Sequence, residues 1–321
     1  MTINKNIHSH KVYVIIVTYN AMKWAKKCFT SLQESSVPVN CIVIDNGSSD
    51  GTQDFIKDNF PEVELIQNAE NLGFGKANNI GIEAAYRKNA DFFYLMNQDA
   101  WIYEDSIQRL LEVYYQYPKK DEIGILSPMH LDGSEKKLDL HFENYLGKYV
   151  KNNRLLSDLF LHQQALWYEI DFINAAHWFL PKETVEKIGG FNPFYFHYGE
   201  DYDYVNRILF RKKKILVCPG ARVVHDTKQT FTVQDADAAY KEKWLSLRLQ
   251  KQTQFMNPAY PYNPEKEKRK LRRDYYKFLI KGYYKERVEQ REMMDYFLPS
   301  LPQIQLYREQ ILYAPHPFLN I

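Results

Sequence analysis

The sequence has few cysteines: Cys28, Cys41 and Cys218 are the three in a chain of 321 residues. They are odd in number, far apart and without a Cys-x-x-Cys spacing. This pattern argues against a disulfide framework and against a structural zinc site. We therefore expect the chain to work in a reducing compartment.

Long apolar runs are also lacking. No uninterrupted stretch approaches the length that crosses a bilayer. The opening segment, MTINKNIHSHK, has no apolar part of the kind that signal peptides carry. We expect a cytoplasmic protein, or one that works at the inner face of the membrane.

An excess of charge of one sign is missing too. The formal net charge is +2, so the composition does not predict a nucleic-acid partner. Hydrophobic residues make up 45% of the chain, and 25 residues are tyrosine. A substantial core can form, and tyrosine rings suit places where an apolar body meets a polar partner such as a sugar or base.

Apolar strands alternate with helical segments in the N-terminal third. We predict strands at Val12–Val17, Cys41–Ile44, Val63–Asn68 and within ADFFYLMNQDA. This rhythm predicts βαβ units and an α/β fold with a mostly parallel central sheet flanked by helices. Polar clusters follow three of the strands, at Thr18–Asn20, Asp45–Asp50 and Asn97–Asp99. Ligands of such sheets bind beyond the carboxyl ends of the strands, so these clusters are candidate site residues.

The remainder of the chain is less regular. LDGSEKKLDL predicts a hairpin around Asp132-Gly133, and KKILVCPGARVVHD predicts a strand, a turn and a second strand that ends at His225. The character changes after about Gln234, where a Pro/Asn/Tyr linker precedes a basic helix. We predict two domains, 1–234 and a helical, basic extension, 235–321.

The basic helix has apolar residues at helical spacing, namely Leu271, Tyr275, Phe278 and Leu279. A basic amphipathic helix can lie on an anionic membrane. It can equally pack on its own protein through the apolar stripe. The sequence leaves peripheral membrane contact and internal packing both open.

Two loops are candidates for binding a nucleotide. In VIDNGSSDGT, Asp45 could accept hydrogen bonds from ribose hydroxyls or a base N–H, although the same residues favour a plain turn. NLGFGKANNIG is not a dinucleotide fingerprint, because Asn78 holds the third glycine position. Asn71 and Asn78 remain hydrogen-bonding groups of a Gly-rich loop.

The segment LMNQDA ends an apolar strand in polar residues. A hard divalent cation is held by few carboxylates together with phosphate oxygens and water, and Asp99 fits that role. Asn97 offers only a neutral oxygen, and a simple polar strand cap is the alternative. His225, at another strand end, becomes a candidate ligand if it faces Asp99.

The segment FHYGEDYDYVNR gathers acids among aromatic rings. If a helix begins near Glu200, Asp203 can pair with Arg207 one turn later, and Glu200 and Asp201 lie in the first turn, where the helix dipole favours negative charge. A surface helix explains that much. Rings crowded against a carboxylate would also raise its pKa, which moves it toward general-base strength near neutral pH.

These clusters, in this order, resemble the family 2 glycosyltransferases of the GT-A fold, particularly the rhamnosyltransferase-like branch. The matching segments are VIIVTYN, VIDNGSSDGT, NLGFGKANNIG, LMNQDA, GGFNPFYFHYGEDYDYVNRI and VVHD. They run from Val12 to about Asp226, roughly two thirds of the chain.

The resemblance implies roles for individual residues. It implies a nucleotide site formed by Thr18, Tyr19, Asn20, Asp45, Asn71, Gly73, Asn78 and Gln98. It implies that Mg²⁺ or Mn²⁺ is bound by Asp99, His225 and Asn97, where Asn97 replaces a carboxylate of the usual motif. It implies that Asp201 is the catalytic base, with Glu200 as the alternative. His177 and Trp178 stand where relatives carry smaller residues, so we expect them on the acceptor side, with core packing as the alternative for Trp178.

The resemblance further implies an inverting transfer of a sugar from a nucleotide-diphospho-sugar to a hydroxyl of a glycan or lipid-linked glycan, in cell-surface polysaccharide synthesis. Two other functions remain open. A non-catalytic, carbohydrate-binding relative is suggested by Asn97, although the intact Gly-Glu-Asp segment and His225 argue against it. A sugar-phosphate nucleotidyltransferase would need a Gly-rich, basic loop after the first strand, and VTYNAMKW is not one.

Overall fold

A computed structural model describes residues 9–151, 154–227 and 236–321. The chain divides into two compact units, residues 1–230 together with Pro315–Ile321, and residues 231–314. This division differs from the predicted one in two places: the boundary falls after residue 230 in place of 234, and the last seven residues lie in the first unit. The chain therefore leaves the first unit, forms the second, and returns.

The first unit combines strands and helices in alternation. Its strands are β1 Val12–Thr18, β2 Val39–Asp45, β3 Glu64–Gln67, β4 Phe92–Asn97, β5 Ala100–Ile102, β6 Ile123–Leu131, β7 Tyr168–Ile170, β8 His177–Pro181 and β9 Lys214–His225. Its helices are α1 Met22–Gln33, α2 Thr52–Asn59, α3 Phe74–Arg87, α4 Ser106–Gln116, α5 Leu140–Tyr149, α6 Leu155–Phe160, α7 Lys182–Ile188 and α8 Glu200–Phe210.

The described strands form one sheet in the order β3-β2-β1-β4-β8-β6-β9-β5, with β7 paired to β9. The α/β fold class is confirmed, and β3, β2, β1 and β4 are parallel as predicted. Beyond β4 the sheet is mixed, because β8 is antiparallel to both β4 and β6. Four of the eight pairings of described strands are antiparallel.

Both faces of the sheet are covered, which explains the unbroken apolar runs of the strands. In β1, Val12, Val14 and Ile16 pack into one core cluster, whereas Tyr13 and Ile15 pack into the cluster on the opposite face. This alternation is the period of two that a strand imposes. The carboxyl ends of β1, β2 and β4 therefore meet at one edge and carry their polar loops there.

One strand, β9, differs from the prediction. The segment predicted as a strand, a turn and a second strand is the single strand β9, which pairs in parallel with β6. The pairing shifts register between Pro128 and Met129, opposite Cys218 and Arg222. This bulge keeps the chain in the sheet through the Pro-Gly dipeptide that suggested a turn.

The second unit is helical in its described part, as predicted for the extension. Its helices are α9 Ala236–Met256, α10 Pro264–Ile280 and α11 Tyr284–Tyr313. Asn263 caps α10 by accepting a hydrogen bond from the backbone N–H of Lys266, and Pro264 occupies the first helical position. Within the described residues, no helix is both long enough and apolar enough to cross a membrane.

Candidate active site

A cavity of about 360 Å³ opens at the carboxyl ends of β1 and β4. The residues that line it are Val17, Tyr19, Asn46, Asn71, Gly73, Phe74, Asn97, Gln98, Asp99, Phe196 and His197. They come from the ends of β1 and β4, from the four loops that follow β1, β2, β3 and β4, and from the segment that leads into α8. The cavity therefore lies where the strand pattern predicts a ligand.

The loop after β2 is built around the buried carboxylate of Asp45. This carboxylate accepts hydrogen bonds from the Thr18 hydroxyl at 2.8 Å, the Ser48 hydroxyl at 2.6 Å and the Gln53 amide at 2.5 Å. Burial raises the pKa of Asp45, but the bonds from Ser48, Gln53 and Thr18 outweigh it and hold the pKa below its usual value. Asp45 has no exposed surface, so it holds the loop together, and its neighbour Asn46 lines the cavity instead.

The NLGFG loop forms a second wall. The side-chain oxygen of Asn71 accepts hydrogen bonds from the Gly73 N–H at 2.8 Å and from the Asn46 amide at 3.2 Å. Gly73 has a φ of +81°, and a Cβ at this position would collide with the carbonyl oxygen of Phe196. The next residue, Phe74, donates its N–H to the same Phe196 carbonyl at 3.3 Å. Glycine thus allows the NLGFG loop to lie directly against the segment that precedes the Glu200–Asp201 pair.

A third group of polar atoms lies at the end of β4. Asp99 Oδ1 and His225 Nε2 are 3.6 Å apart, and the Asn97 amide nitrogen lies 3.3 Å from the same His225 nitrogen. His225 and Asp99 therefore face each other, which is the condition under which the sequence makes His225 a candidate ligand. On its other side, His225 Nδ1 lies 3.7 Å from the buried carboxylate of Asp139, which also caps α5.

The same atoms determine whether a divalent cation fits at the end of β4. Among the described residues, no cluster of three or more His, Cys, Asp or Glu side chains could hold a metal. Among the same described residues, the buried Oδ1 of Asn97 has no hydrogen-bond partner. Together with one carboxylate and one imidazole, it makes a small oxygen-and-nitrogen donor set. That set suits Mg²⁺ or Mn²⁺ when phosphate oxygens and water complete the coordination.

The expectation that His177 and Trp178 lie on the acceptor side is corrected by the structure. Both residues lie in β8, and neither has exposed surface. His177 Nε2 lies 3.2 Å from the Val224 carbonyl oxygen, and its Nδ1 lies 2.7 Å from the Tyr94 hydroxyl. Because β8 is in the middle of the sheet, its side chains point into the two cores and cannot reach a bound sugar.

The acid pair begins helix α8, as the sequence predicted. Glu200 is 94% buried, since its relative exposure is 6%, and its Oε2 has no hydrogen-bond partner among the described residues. Burial raises the pKa of Glu200, and the negative charge of Asp201 raises it further. Burial also raises the pKa of Asp201, although its backbone hydrogen bonds partly oppose the shift. Both carboxyls are thereby moved toward the proton affinity of a general base.

Tyr145 and Tyr202, which lie near Asp201, belong to a group of four packed aromatic rings. The rings of Phe172 and Tyr202 stack with their centres 3.9 Å apart, and Tyr145 and Tyr149 contact the edge of Phe172 at 5.1 and 5.5 Å. The charge of Asp201 acts on both Tyr145 and Tyr202, whose pKa values are raised mainly by burial. We call Tyr145, Tyr149, Phe172 and Tyr202 the aromatic cluster.

A buried ion pair fixes α8 in place. Arg207 Nε lies 2.9 Å from Asp203 Oδ2, and both side chains are almost fully buried. The guanidinium also donates to the carbonyl oxygens of Ile188 at 2.5 Å and Gly190 at 2.8 Å. The helical pairing predicted from sequence is therefore present, and it ties the helix that carries the acids to the end of α7.

The structure divides the predicted binding residues into two groups. Those that line the cavity are Tyr19, Asn71, Gly73, Asn97, Gln98 and Asp99. Those that do not are Thr18, Asn20, Asp45, Asn78 and His225. Thr18, Asp45 and Asn78 are buried and bonded within the chain, whereas Asn20 is exposed and bonds the loop after β2. The roles assigned to the lining residues stay predictions.

Sequence reasoning assigned no role to five of the lining residues, which are Val17, Asn46, Phe74, Phe196 and His197. Asn46 directly follows the conspicuous Asp45, and its signal was present in the same loop. Phe196 and His197 were noted only as rings around the acids. The close approach of the NLGFG loop, which brings them to the cavity, has no signature in the spacing of residues.

The sequence profile of the family described as glycosyl transferase family 2 matches residues 13–186. The chain is 25% identical over 215 residues to the dTDP-rhamnosyl transferase RfbF of Shigella flexneri, covering 67% of this chain and 68% of that protein. It is 25% identical over 234 residues to an N-acetylglucosaminyl-diphospho-decaprenol L-rhamnosyltransferase of Mycobacterium tuberculosis, covering 66% and 75%.

Two solved structures share the fold. TarS 1–349 of S. aureus in complex with UDP matches with a TM-score of 0.51 and 14% identity, over 79% of this chain and 67% of that one. The mannosyltransferase PcManGT of Pyrobaculum calidifontis, in complex with GDP-Man and Mn²⁺, matches with a TM-score of 0.52 and 17% identity, over 78% and 63%. The longer TarS structure is covered over 42% of its length. At these identities the likeness concerns the fold alone.

Proposed function

This chain belongs to glycosyltransferase family 2, and we propose that it transfers a sugar, with inversion, from a nucleotide-diphospho-sugar to a hydroxyl of a glycan or lipid-linked glycan. One observation carries the proposal. The cavity at the strand ends is lined both by the polar loops of the parallel strands and by Phe196 and His197, which lead into the acid pair of α8. A donor bound in that cavity would have its reactive end near the acids.

We assign the donor's nucleotide to the wall formed by Tyr19, Asn46 and Asn71. The Tyr19 ring is 48% exposed and offers a flat face to a base. Gln98 fixes the Tyr19 backbone, because its amide exchanges hydrogen bonds of 2.7 and 3.2 Å with the Tyr19 N–H and carbonyl. The name of the similar Shigella protein supports dTDP-rhamnose as the first donor to test.

We assign the diphosphate to the end of β4, with a divalent cation bound by Asp99, His225 and the free oxygen of Asn97. The structure of PcManGT holds Mn²⁺ together with GDP-Man, which supports this assignment by analogy of fold. When bound, such a cation would stabilise the negative charge of the departing nucleoside diphosphate. Asp139 would hold the His225 ring from behind, so that Nε2 keeps facing Asp99.

Asp201 acts as the base in this proposal, and Glu200 is the alternative. The base removes the proton of the acceptor hydroxyl while that oxygen attacks the anomeric carbon opposite the leaving group, so the anomeric configuration inverts. Asp201 is the more accessible of the two, since Glu200 is 6% exposed. Glu200, with its raised pKa and unpartnered oxygen, would keep a proton near Asp201 or exchange one with it.

We place the acceptor against the aromatic cluster, in place of the predicted His177 and Trp178. Tyr202 is 41% exposed and stacks on Phe172, so its outer face is available to a sugar ring. The name of the similar Mycobacterium protein supports an acceptor that is a sugar linked through a diphosphate to a lipid. A role in cell-surface polysaccharide synthesis follows as the setting of the reaction.

The test measures binding and transfer separately. Calorimetry with dTDP-rhamnose and Mn²⁺ gives donor affinity, and release of dTDP in the presence of an N-acetylglucosaminyl-diphospho-lipid gives turnover. We expect Asp201→Asn to bind donor normally and to lose turnover by about 10²–10⁴-fold, the contribution of a positioned base. Asp54→Asn, which changes an exposed acid in the first turn of α2, is the matched control and should behave as wild type.

Two further arms of the same experiment address the other assignments. Tyr202→Ala should raise the acceptor KM without changing donor affinity, and chelation of the cation should suppress turnover. Full turnover in both Asp201→Asn and Glu200→Gln would remove the proposed base. Donor binding without turnover in the wild type, across a panel of acceptors, would favour a non-catalytic, carbohydrate-binding relative. Formation of a nucleotide sugar from a nucleoside triphosphate would identify a nucleotidyltransferase.

A further inference from the structure

Helices α10 and α11 are joined by a turn that exposes apolar and aromatic side chains. The exposed fractions are 84% for Ile280, 68% for Tyr284, 55% for Tyr276, 52% for Tyr283 and 40% for Leu279. We call these five residues the hairpin tip. Every residue from Leu279 to Glu286 is exposed, so four of the five tip residues lie in one continuous exposed segment. An exposed apolar surface of this kind marks an interaction site more often than a scattered apolar residue does.

The apolar residues of the second unit fall into two sets. Leu271 in α10 is 2% exposed, and Met293 and Phe297 in α11 are 7% and 0% exposed. These side chains form the interior of the unit. The stripe predicted from sequence therefore divides: Leu271 is buried, whereas Leu279 belongs to the hairpin tip. The tip is apolar surface that remains after the interior has formed.

The tip is also surrounded by positive charge. Residues 264–287 contain ten lysines and arginines and four acids, a net charge of +6 in a chain whose total is +2. The rest of the chain is therefore negative, at −4. Within the described residues, only Lys268 and Arg273 of these ten cations take part in ion pairs. Lys281 lies over the Tyr283 ring and Arg287 over the Tyr284 ring, at 6.0 and 5.1 Å.

We propose that the hairpin tip binds to the surface of an anionic lipid bilayer. Ile280 and Leu279 would enter the boundary between headgroups and acyl chains, and the tyrosines would lie at headgroup level, where aromatic rings with a polar end are favoured. The flanking cations would lie near lipid phosphates, and this attraction weakens as salt rises. Ile280 is the most exposed of the tip residues. An aliphatic side chain gains no favourable contact from the phosphates of a polynucleotide or the carboxylates of an acidic protein surface, so a bilayer fits the tip best.

The experiment uses the full chain and two kinds of vesicle, phosphatidylcholine alone and phosphatidylcholine mixed with phosphatidylglycerol. Flotation gives the bound fraction at low and at physiological salt. We expect binding to the mixed vesicles, weaker binding to phosphatidylcholine, and loss of binding as salt is raised. The double variant Ile280→Ser, Tyr284→Ser should bind the mixed vesicles about tenfold or more weakly, because it removes two of the inserted apolar groups.

A matched control comes from the same helix. Leu306 and Tyr313 are 54% and 80% exposed in α11 but lie outside the hairpin tip. Leu306→Ser, Tyr313→Ser should bind vesicles as the wild type does. Because all four positions are exposed, neither variant should change the helical circular dichroism. The charge variant Lys277→Gln, Lys281→Gln, Lys285→Gln should lose the preference for phosphatidylglycerol.

Several outcomes would overturn the proposal. One is that the wild type fails to bind the mixed vesicles. Another is that the tip variant binds them as tightly as its control. A DNA duplex that competes equally with vesicles for wild type and tip variant would indicate a general polyanion surface. Binding that survives the tip variant but is lost in Phe160→Ser, an 83% exposed ring in α6, would assign the membrane contact to the first unit.

Discussion

At the scale of single residues, the proposed chemistry depends on two adjacent carboxyls with different surroundings. Glu200 is buried with one oxygen unpartnered, whereas Asp201 is more exposed and next to the aromatic cluster. Burial raises the pKa of both, and the negative charge of Asp201 raises the pKa of Glu200 further. The pair therefore titrates as a unit, and one proton is shared between the two sites over part of the pH range.

This coupling predicts the pH dependence of transfer. A base works only when deprotonated, so the rate falls as pH drops through its pKa. Because the pKa of Asp201 is raised, kcat/KM should begin to fall well above about pH 4, where a free aspartate would titrate. The measurement is the kcat/KM profile at fixed donor and metal concentration. Glu200→Gln should leave the acid limb nearly where it is, because Glu200 has the higher pKa of the two and is already protonated when Asp201 titrates. A profile that stays flat down to about pH 4 would contradict the assignment.

At the scale of elements, the loops of the donor cavity are held by contacts that leave little freedom. Gly73 is left-handed at the start of α3, and its backbone faces the Phe196 carbonyl. The wall of the cavity thus depends on the absence of a side chain at one position. Any Cβ there must push the NLGFG loop away from the segment that leads into α8.

We therefore predict that Gly73→Ala lowers both stability and donor binding. The left-handed φ and the collision should together cost about 1–3 kcal/mol of unfolding free energy. Donor affinity should fall at least about tenfold, because 1.4 kcal/mol of lost binding suffices for that factor. Denaturant titration and calorimetry measure the two effects. Gly147→Ala is the matched control, since Gly147 lies in α5 with open space around its Cβ position. It should be neutral or slightly stabilising, and equal behaviour of the two variants would contradict the prediction.

The elements differ in how far the sequence predicted them. The strands β1, β2 and β4 were predictable because burial on both faces leaves an unbroken apolar run, as in VYVIIV. The mixed part of the sheet beyond β4 was not predictable. There, β8 inserts between β4 and β6 from far along the chain, and no local sequence pattern indicates its antiparallel pairing. The dipeptide Pro219-Gly220 suggested a turn, but a bulge accommodates it within β9.

The site shows the same division between local and distant information. Asn71, Gln98 and Asp99 were predictable because strand ends and polar loops are local features. Asp45 lies in the predicted loop, but whether its carboxylate faces outward or is bonded inside depends on Thr18 and Gln53. Trp178 was misplaced for a similar reason: a bulky ring in an apolar run fits a sugar platform and a core equally well, until the sheet order is known.

At the scale of the whole molecule, the first unit is discontinuous in sequence. Residues 315–321 belong to it although the helical unit precedes them in the chain. The Gly190 N–H donates to the Pro317 carbonyl at 2.9 Å, and the Asn79 amide lies 3.3 Å from the Phe318 carbonyl. Leu319 is 9% exposed and packs into a core cluster of the sheet. Nothing in the sequence PHPFLNI predicts this return, because the residues that this segment contacts, Gly190 and Asn79, are about 130 and 240 positions away in the chain.

This return predicts that residues 315–321 support the acid-bearing helix. Gly190 bonds both Pro317 and, through its carbonyl, Arg207, which pairs with Asp203 in α8. Deleting 315–321 removes the burial of Leu319 and leaves backbone groups near Gly190 unpaired. The unfolding free energy of the first unit should fall by about 2–5 kcal/mol, as for a large-to-small core change with lost hydrogen bonds.

Hydrogen exchange distinguishes this support from a general loss of stability. Amides of α7 and α8 should exchange faster in the deletion variant, while those of α1 and α4, which pack in the other core cluster from Leu319, should change least. Tyr313→Ser, an 80% exposed position just before the segment, is the control and should leave exchange unchanged. Because α8 carries Glu200 and Asp201, turnover should fall further than donor affinity. Unchanged exchange in α8 after the deletion would mean that the Asp203–Arg207 pair holds this helix without help from the returning chain.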